Sequence, residues 1–182
     1  MRVNFIMNST SDAHANKRIK EFASKGHDVK VFGFERDKNV KYNNDAIVIG
    51  HFSNALSYRK RISIYIKALR KLFKKHSGDD CIWYYQGLDV ALFSLIFNHG
   101  KMYIYEECDL VHANVHNMLM RCLLEKVDKY IIKNAYRTIM TSEGFLDFHY
   151  GDADNAPKNI VIIPNKLSPE IMLINKVNTK PF

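Results

Sequence analysis

Glycine is missing where a nucleotide-binding sheet protein most needs it. The first apolar run, Arg2–Met7, is followed by NSTSDAHANKR, which holds no glycine. Neither the GxGxxG turn of dinucleotide folds nor a Walker loop exists there, which excludes an NAD enzyme or a P-loop ATPase built on that loop. Cysteine is scarce. Cys81, Cys108 and Cys122 are too widely spaced for a zinc motif. Their odd number and apolar settings predict reduced, buried thiols of a cytoplasmic protein. Long hydrophobic runs are absent too. The longest, residues 90–97, contains Ser94 and falls far short of the roughly 20 residues that span a bilayer. No small-residue cleavage site follows residues 1–8, so no signal peptide is read. No Gly-x-Ser-x-Gly elbow surrounds Ser142, and a hydrolase triad has no support. Acidic residues are outnumbered, 19 against 27 basic, for a net charge of +8. That balance favours anionic partners. No nucleic-acid reader motif accompanies it, and no nucleic acid is expected.

What is present is a strand–helix alternation. The 182 residues bound one domain, or one domain plus a tail. Arg2–Met7 reads as a buried strand, with a polar loop at residues 8–14 and Asp12 as the N-cap of a helix. Ala15, Ile19, Phe22 and Ala23 share one face of that helix, and Gly26 ends it. Further strands are predicted at residues 28–34, 46–49, 81–85, 102–105, 137–141 and 160–164. Helices are predicted at 58–76, 89–98 and 114–133, and a short helix or turn at 142–150. On the 114–133 helix, Val115, Leu119, Cys122, Val127 and Ile131 recur as the apolar stripe. Strands that are apolar throughout and alternate with helices predict an α/β fold. The form is a Rossmann-like parallel sheet with helices on both faces.

The segment from Tyr58 to His76 carries eight basic residues and no acidic one beside an apolar face of Ile62, Ile66, Leu69 and Phe73. Two readings fit it: a helix lying on anionic lipid, and a solvent-facing helix covering the sheet. In a parallel sheet the loops after the strands share one edge, where sites are built. The stretch KMYIYEECDLVH, residues 101–112, is predicted to deliver Glu106, Glu107 and Asp109 to the turn after a strand, with His112 behind. Such carboxylates either bind sugar hydroxyls or take a proton, and otherwise are solvated charges or helix caps. Asn8, Asp12, His14, Gln86, Ser142 and Asn165 fall at the same edge. Trp83, Tyr84 and Tyr85 read as core.

Three segments in order resemble one family. DAHANKRIKEFASKGHDVKVFGFERD is similar to the opening strand–helix–strand of glycosyltransferases of the retaining GT4 type, which have the GT-B fold. MYIYEECDL resembles that family's strand ending in an acidic turn, and RTIMTSEGF with NIVIIPNKL resembles its closing signature. The resemblance covers about residues 1–170. It implies an N-terminal acceptor-side domain over residues 1–168, and a linker at 169–182 toward a C-terminal donor domain. The implied activity is transfer of a sugar from a nucleotide-sugar to a hydroxyl of a saccharide or lipid-linked acceptor, without a bound metal or cofactor. The fragment alone is expected to be inactive. Glu106 and Asp109 are the implied catalytic pair. Asn8, Asp12, His14, Gln86, Glu107, His112, Ser142 and Asn165 are the implied binding groups. Lys17 and Arg18 either reach phosphates or form a solvated helix face. The implied location is cytoplasmic, peripheral on the inner membrane face. The alternatives are a stand-alone nucleotide- or membrane-surface-binding module, or a nucleotide-sugar epimerase of GT-B fold.

Overall fold

The computed structural model of the protein describes residues 1–36 and 45–164. Seven parallel strands form one sheet in the order β3-β2-β1-β4-β5-β6-β7. They are β1 (Arg2–Met7), β2 (Asp28–Glu35), β3 (Ile47–His51), β4 (Ile82–Gln86), β5 (Tyr103–Glu107), β6 (Arg137–Met140) and β7 (Ile160–Ile162). The chain moves outward from β1 to β3, returns to β4 beside β1, and then moves outward the other way. The loops after β1 and β4 therefore diverge and leave a crevice at the carboxyl edge.

Among the described residues five α-helices cover the sheet: α1 (Ala13–Ser24), α2 (Tyr58–Lys75), α3 (Leu88–Leu95), α4 (Met118–Asn134) and α5 (Glu143–Tyr150). Side chains alternate along each strand and supply two cores. On one face Val3, Phe5, Tyr84, Ile104 and Ile139 pack with Ile19 and Phe22 of α1. Phe5 stacks on Tyr84 at 4.3 Å. On the other face Phe32, Phe34, Trp83, Tyr85, Tyr103 and Tyr105 meet α2 to α5.

The apolar stripe of α2 belongs to this second core. Tyr65, Leu69, Leu72 and Phe73 are buried against the sheet, and Ile62 and Ile66 pack beside them. Tyr65 meets Phe34 edge-on at 4.6 Å, and Phe73 lies 4.5 Å from Trp83. Burial of each such side chain is worth about 1.5–3 kcal/mol. The stripe is therefore not available to lipid, and what α2 shows to solvent is its basic face.

Several boundaries differ from the sequence reading. β5 runs two residues further than predicted, so Glu106 and Glu107 lie inside the strand rather than on the turn. A 3-10 turn, Val111–Asn114, comes next, and α4 begins only at Met118. The start is set by Asn117, whose Oδ1 accepts the Met120 N–H at 3.0 Å. As a result Leu119 and Cys122 are exposed rather than core, and the expectation of three buried thiols fails: Cys122 is exposed, and Cys81 and Cys108 are only partly buried. The α1 cap is as predicted, with Asp12 Oδ1 accepting the Ala15 N–H at 2.9 Å.

Candidate functional site

The loop after β1 is held down on the sheet. Thr10 N–H bonds to Phe34 O at 3.0 Å. A Cβ at Gly33 would meet Thr10 Cγ2 at 2.7 Å, so glycine there lets the loop approach. Gly87 makes the turn after β4 at φ +83, a conformation that suits only glycine, and donates its N–H to Glu106 O at 2.9 Å. Between these turns lies a cleft of about 130 Å³. Asn8, Ser9, Asp12, Arg36, Gln86, Asp89 and Asp109 line it, with Cys108 and Val111 completing the wall.

Asn8 is fixed from two sides. Its Oδ1 accepts from Tyr65 OH and from Arg36 Nη2, and Arg36 Nε bonds to Asn8 O at 3.1 Å. Asp89 accepts from Tyr58 OH at 2.7 Å. Gln86 is buried at the cleft wall, and its Oε1 has no partner among the described residues. Burial, with the Glu106 charge second, raises the Cys108 thiol, so it is no nucleophile at neutral pH. Among the described residues three carboxylates face one guanidinium, so this lining is acidic although the protein is basic. A wider depression of about 670 Å³ lies at the opposite, amino edge between β5, α3 and α4. It holds Lys101 and no acidic side chain, and it lies away from the strand tips.

The two glutamates of β5 point to opposite faces, and neither lines the cleft. Glu106 faces α1. Its Oε1 accepts from Arg18 Nη2 at 3.2 Å and its Oε2 from Tyr84 OH at 2.6 Å. It is an anchor between strand and helix, not an exposed catalytic carboxylate. Arg18 is likewise buried in that pair rather than on a solvated face. Glu107 faces α4 and α5, fully buried. Its Oε1 lies 2.7 Å from His149 Nε2. Beside it Asp128 Oδ1 accepts from Tyr105 OH at 2.9 Å, and His112 Nδ1 lies 3.5 Å from Asp128 Oδ2. Burial pushes Glu107 up to about 8. Burial, then the Glu107 charge, pushes Asp128 up to about 7. Burial also lowers both His112 and His149.

Of the sequence-derived site residues, the cleft gathers Asn8, Asp12, Gln86 and Asp109. It does not gather Glu106, Glu107 or His112, which are sealed in the two cores. His14 is exposed on the first turn of α1, and Ser142 is exposed ahead of α5; neither lines the cleft. Asn165 and the linker at 169–182 lie outside the described residues. Sequence reading missed Arg36, Asp128 and His149. The first gives no local signal. Asp128 does, since it sits on the stripe of Leu124, Ile131 and Ile132, where an apolar residue is expected.

No protein-family profile matches the sequence, and no curated protein matches it. Solved structures do match. Sucrose-phosphate synthase from Thermosynechococcus elongatus superposes with a TM-score of 0.68 at 13% identity over 92% of this chain and 49% of that one. A lipopolysaccharide outer core galactosyltransferase gives a TM-score of 0.59 at 16% identity, over 92% and 46%. The UDP-GlcNAc 2-epimerase from Methanocaldococcus jannaschii gives 0.57 at 13%, over 91% and 46%. At such identities the likeness is one of fold. The chain spans about half the length of these neighbours, which are GT-B glycosyltransferases and epimerases.

Proposed function

We propose that this chain is the acceptor-side half of a retaining glycosyltransferase of the GT4 type, using a nucleotide-sugar donor and a saccharide or lipid-linked acceptor. The observation that carries the reading is the charge of the cleft. Asp12, Asp89 and Asp109 face Arg36, with Gln86 Oε1 unpartnered beside them. Carboxylate and amide oxygens accept hydrogen bonds from sugar hydroxyls, whereas they repel a diphosphate. Residues 1–168 act as the acceptor domain and 169–182 as the link to a donor domain. That donor half supplies the cations that offset leaving-group charge. Asp109 is the carboxylate from the strand-tip stretch placed to orient an acceptor hydroxyl or take its proton. Asp89 and Gln86 hold neighbouring hydroxyls.

The basic face of α2 and the exposed Met118, Leu119, Met120 and Leu123 at the start of α4 favour work at the cytoplasmic face of a membrane. The test is ligand-observed NMR with oligosaccharides and, separately, nucleotide-sugars. Saccharide binding that Asp89→Asn and Asp109→Asn each weaken is expected. Tight nucleotide-sugar binding with no saccharide response would refute the acceptor assignment. Isotope uptake from D2O into a nucleotide-sugar without any acceptor would replace it with the epimerase reading.

A further inference from the structure

Behind the cleft wall lies a group of side chains that the acceptor reading does not use. Glu107 comes from β5, His112 from the 3-10 turn, Asp128 from α4 and His149 from α5. All four are fully buried. Among the described residues, neither ring nitrogen of His112 makes a hydrogen bond. His149 Nδ1 has no partner, while Glu107 and Asp128 hydrogen-bond each other as a carboxyl pair, with no other donor on Asp128 Oδ2 or Glu107 Oε2. No lysine or arginine is ion-paired to either carboxyl among the described residues. Buried polar atoms are ordinarily satisfied, so three unpaired imidazole nitrogens beside a buried carboxyl pair need a common explanation.

One cation supplies it. One donor atom each from His112, Asp128 and His149 lies within 4.8 Å of the others. Tetrahedral bonds of about 2.0–2.1 Å place donors about 3.4 Å apart, so closure needs shifts of about an ångström. The surroundings already orient the donors as metal sites do. Ligating histidines commonly donate their other ring N–H to a carboxylate, and Glu107 stands 2.7 Å from His149 Nε2, leaving Nδ1 free. Tyr105 OH occupies Asp128 Oδ1 at 2.9 Å and leaves Oδ2 with no donor outside the carboxyl pair. Two buried carboxylates also match the charge of a divalent ion. Two imidazoles with one carboxylate suit zinc and its neighbours better than magnesium or calcium.

We propose that His112, Asp128 and His149 bind one divalent transition-metal ion of the zinc class, with Glu107 and Tyr105 as positioning residues. The site ties four elements together. It fixes the turn that carries Val111 beside Asp109, and so sets the wall of the cleft without touching substrate.

The test uses the purified chain, stripped with chelator and titrated with Co2+ and then Zn2+. One equivalent of Co2+ giving visible d–d bands, displaced by Zn2+, is expected. Asp128→Asn and His149→Gln should each weaken binding at least tenfold, and Glu107→Gln roughly 10–100-fold. Cys122→Ser should leave it unchanged, since that exposed thiol is the nearest competing explanation. Should the variants unfold, histidine-ring NMR of the wild type decides the matter. Of the eight histidines, His112 and His149 should shift with Zn2+. Absence of stoichiometric binding by the folded wild type would overturn the site. So would shifts confined to other histidines, or binding lost with Cys122→Ser.

Discussion

Replacing Glu106 distinguishes an anchor from a catalyst. In Glu106→Ala the guanidinium of Arg18 loses its partner at 3.2 Å, and Tyr84 OH loses an acceptor at 2.6 Å inside the α1 core. Hydrogen bonds to charged groups are worth about 1.5–3 kcal/mol each, and stripping one partner from a buried ion pair costs about 3–5 kcal/mol. Arg18 keeps Glu21 at 3.2 Å, and Glu21 is half exposed, so the lower end applies: about 3 kcal/mol. For a chain of this size that is roughly 6–12 °C in Tm. Urea denaturation followed by circular dichroism reads it as a fall in midpoint at unchanged slope. A cycle with Glu106→Gln, Arg18→Met and the double variant isolates the pair, with an expected coupling of about 1.5–3 kcal/mol. A loss below about 0.5 kcal/mol for Glu106→Ala would refute the anchor, because surface substitutions lie in that range.

The remaining predictions concern pH, the cleft, the core and the surface. In metal-free protein, Glu107 and Asp128 keep their protons up to about 8 and about 7, against 4.5 and 3.8 ordinarily. The folded state therefore holds more protons than the unfolded state in that window, and the carboxyls lose stability as pH rises. Below 6.5 the lowered His112 and His149 act in the opposite sense, since the unfolded chain protonates them first. Tyr105 faces the same group, and Arg121, Glu125 and Lys129 lie near it. Stability should consequently fall between pH 6.5 and 8.5, by on the order of 1–2 kcal/mol. A Glu107→Gln, Asp128→Asn double variant should flatten the slope, and a rise in the wild type contradicts the account. Asp109→Asn should weaken saccharide binding about tenfold or more with no change in Tm; unchanged titrations would remove it from the site. Leu69→Ala should cost about 2–5 kcal/mol by opening a cavity under α2, measured by the same denaturation. Anionic liposomes should sediment the chain at low salt and release it at high salt. Lys67→Gln with Lys71→Gln should weaken that binding, and equal recovery on neutral liposomes would count against a membrane role.

The sheet was legible because its signal is local. IVI and YIY are apolar on both faces, and Gly26, Gly87 and Gly100 punctuate the connections. The cleft was legible in outline for the same reason, since strand tips fix where Asn8, Asp12, Gln86 and Asp109 fall. What local pattern could not show is depth. YIYEE continues the strand through two carboxylates, and the partner that draws Glu106 inward is Arg18, 88 residues away. Glu107 is drawn the other way by His149, 42 residues away. One step along the strand sends the two side chains into different cores, so adjacent glutamates of identical chemistry acquire unrelated roles.

That alternation also explains how a protein of net charge +8 presents an acidic cleft. Of the α2 basic residues, Arg59, Lys60, Lys67, Arg70, Lys71, Lys74 and Lys75 are exposed on the outer face of that helix, with its core-facing stripe beneath them. Arg36 is tied to Asn8 and stacks over Phe52 at 5.4 Å, so the one cation lining the cleft among the described residues is already engaged. Exposed charges more than about 8–10 Å apart are largely screened at physiological salt. The later turns of the basic helix act on what approaches their own face, whereas its first turn adjoins the cleft, where Tyr58 OH donates to Asp89 at 2.7 Å and Arg61 shares the Phe52 ring with Arg36. A diphosphate meets repulsion there, whereas hydroxyls meet acceptors. On the proposed acceptor-side reading, the anionic part of the reaction falls to a surface other than this crevice.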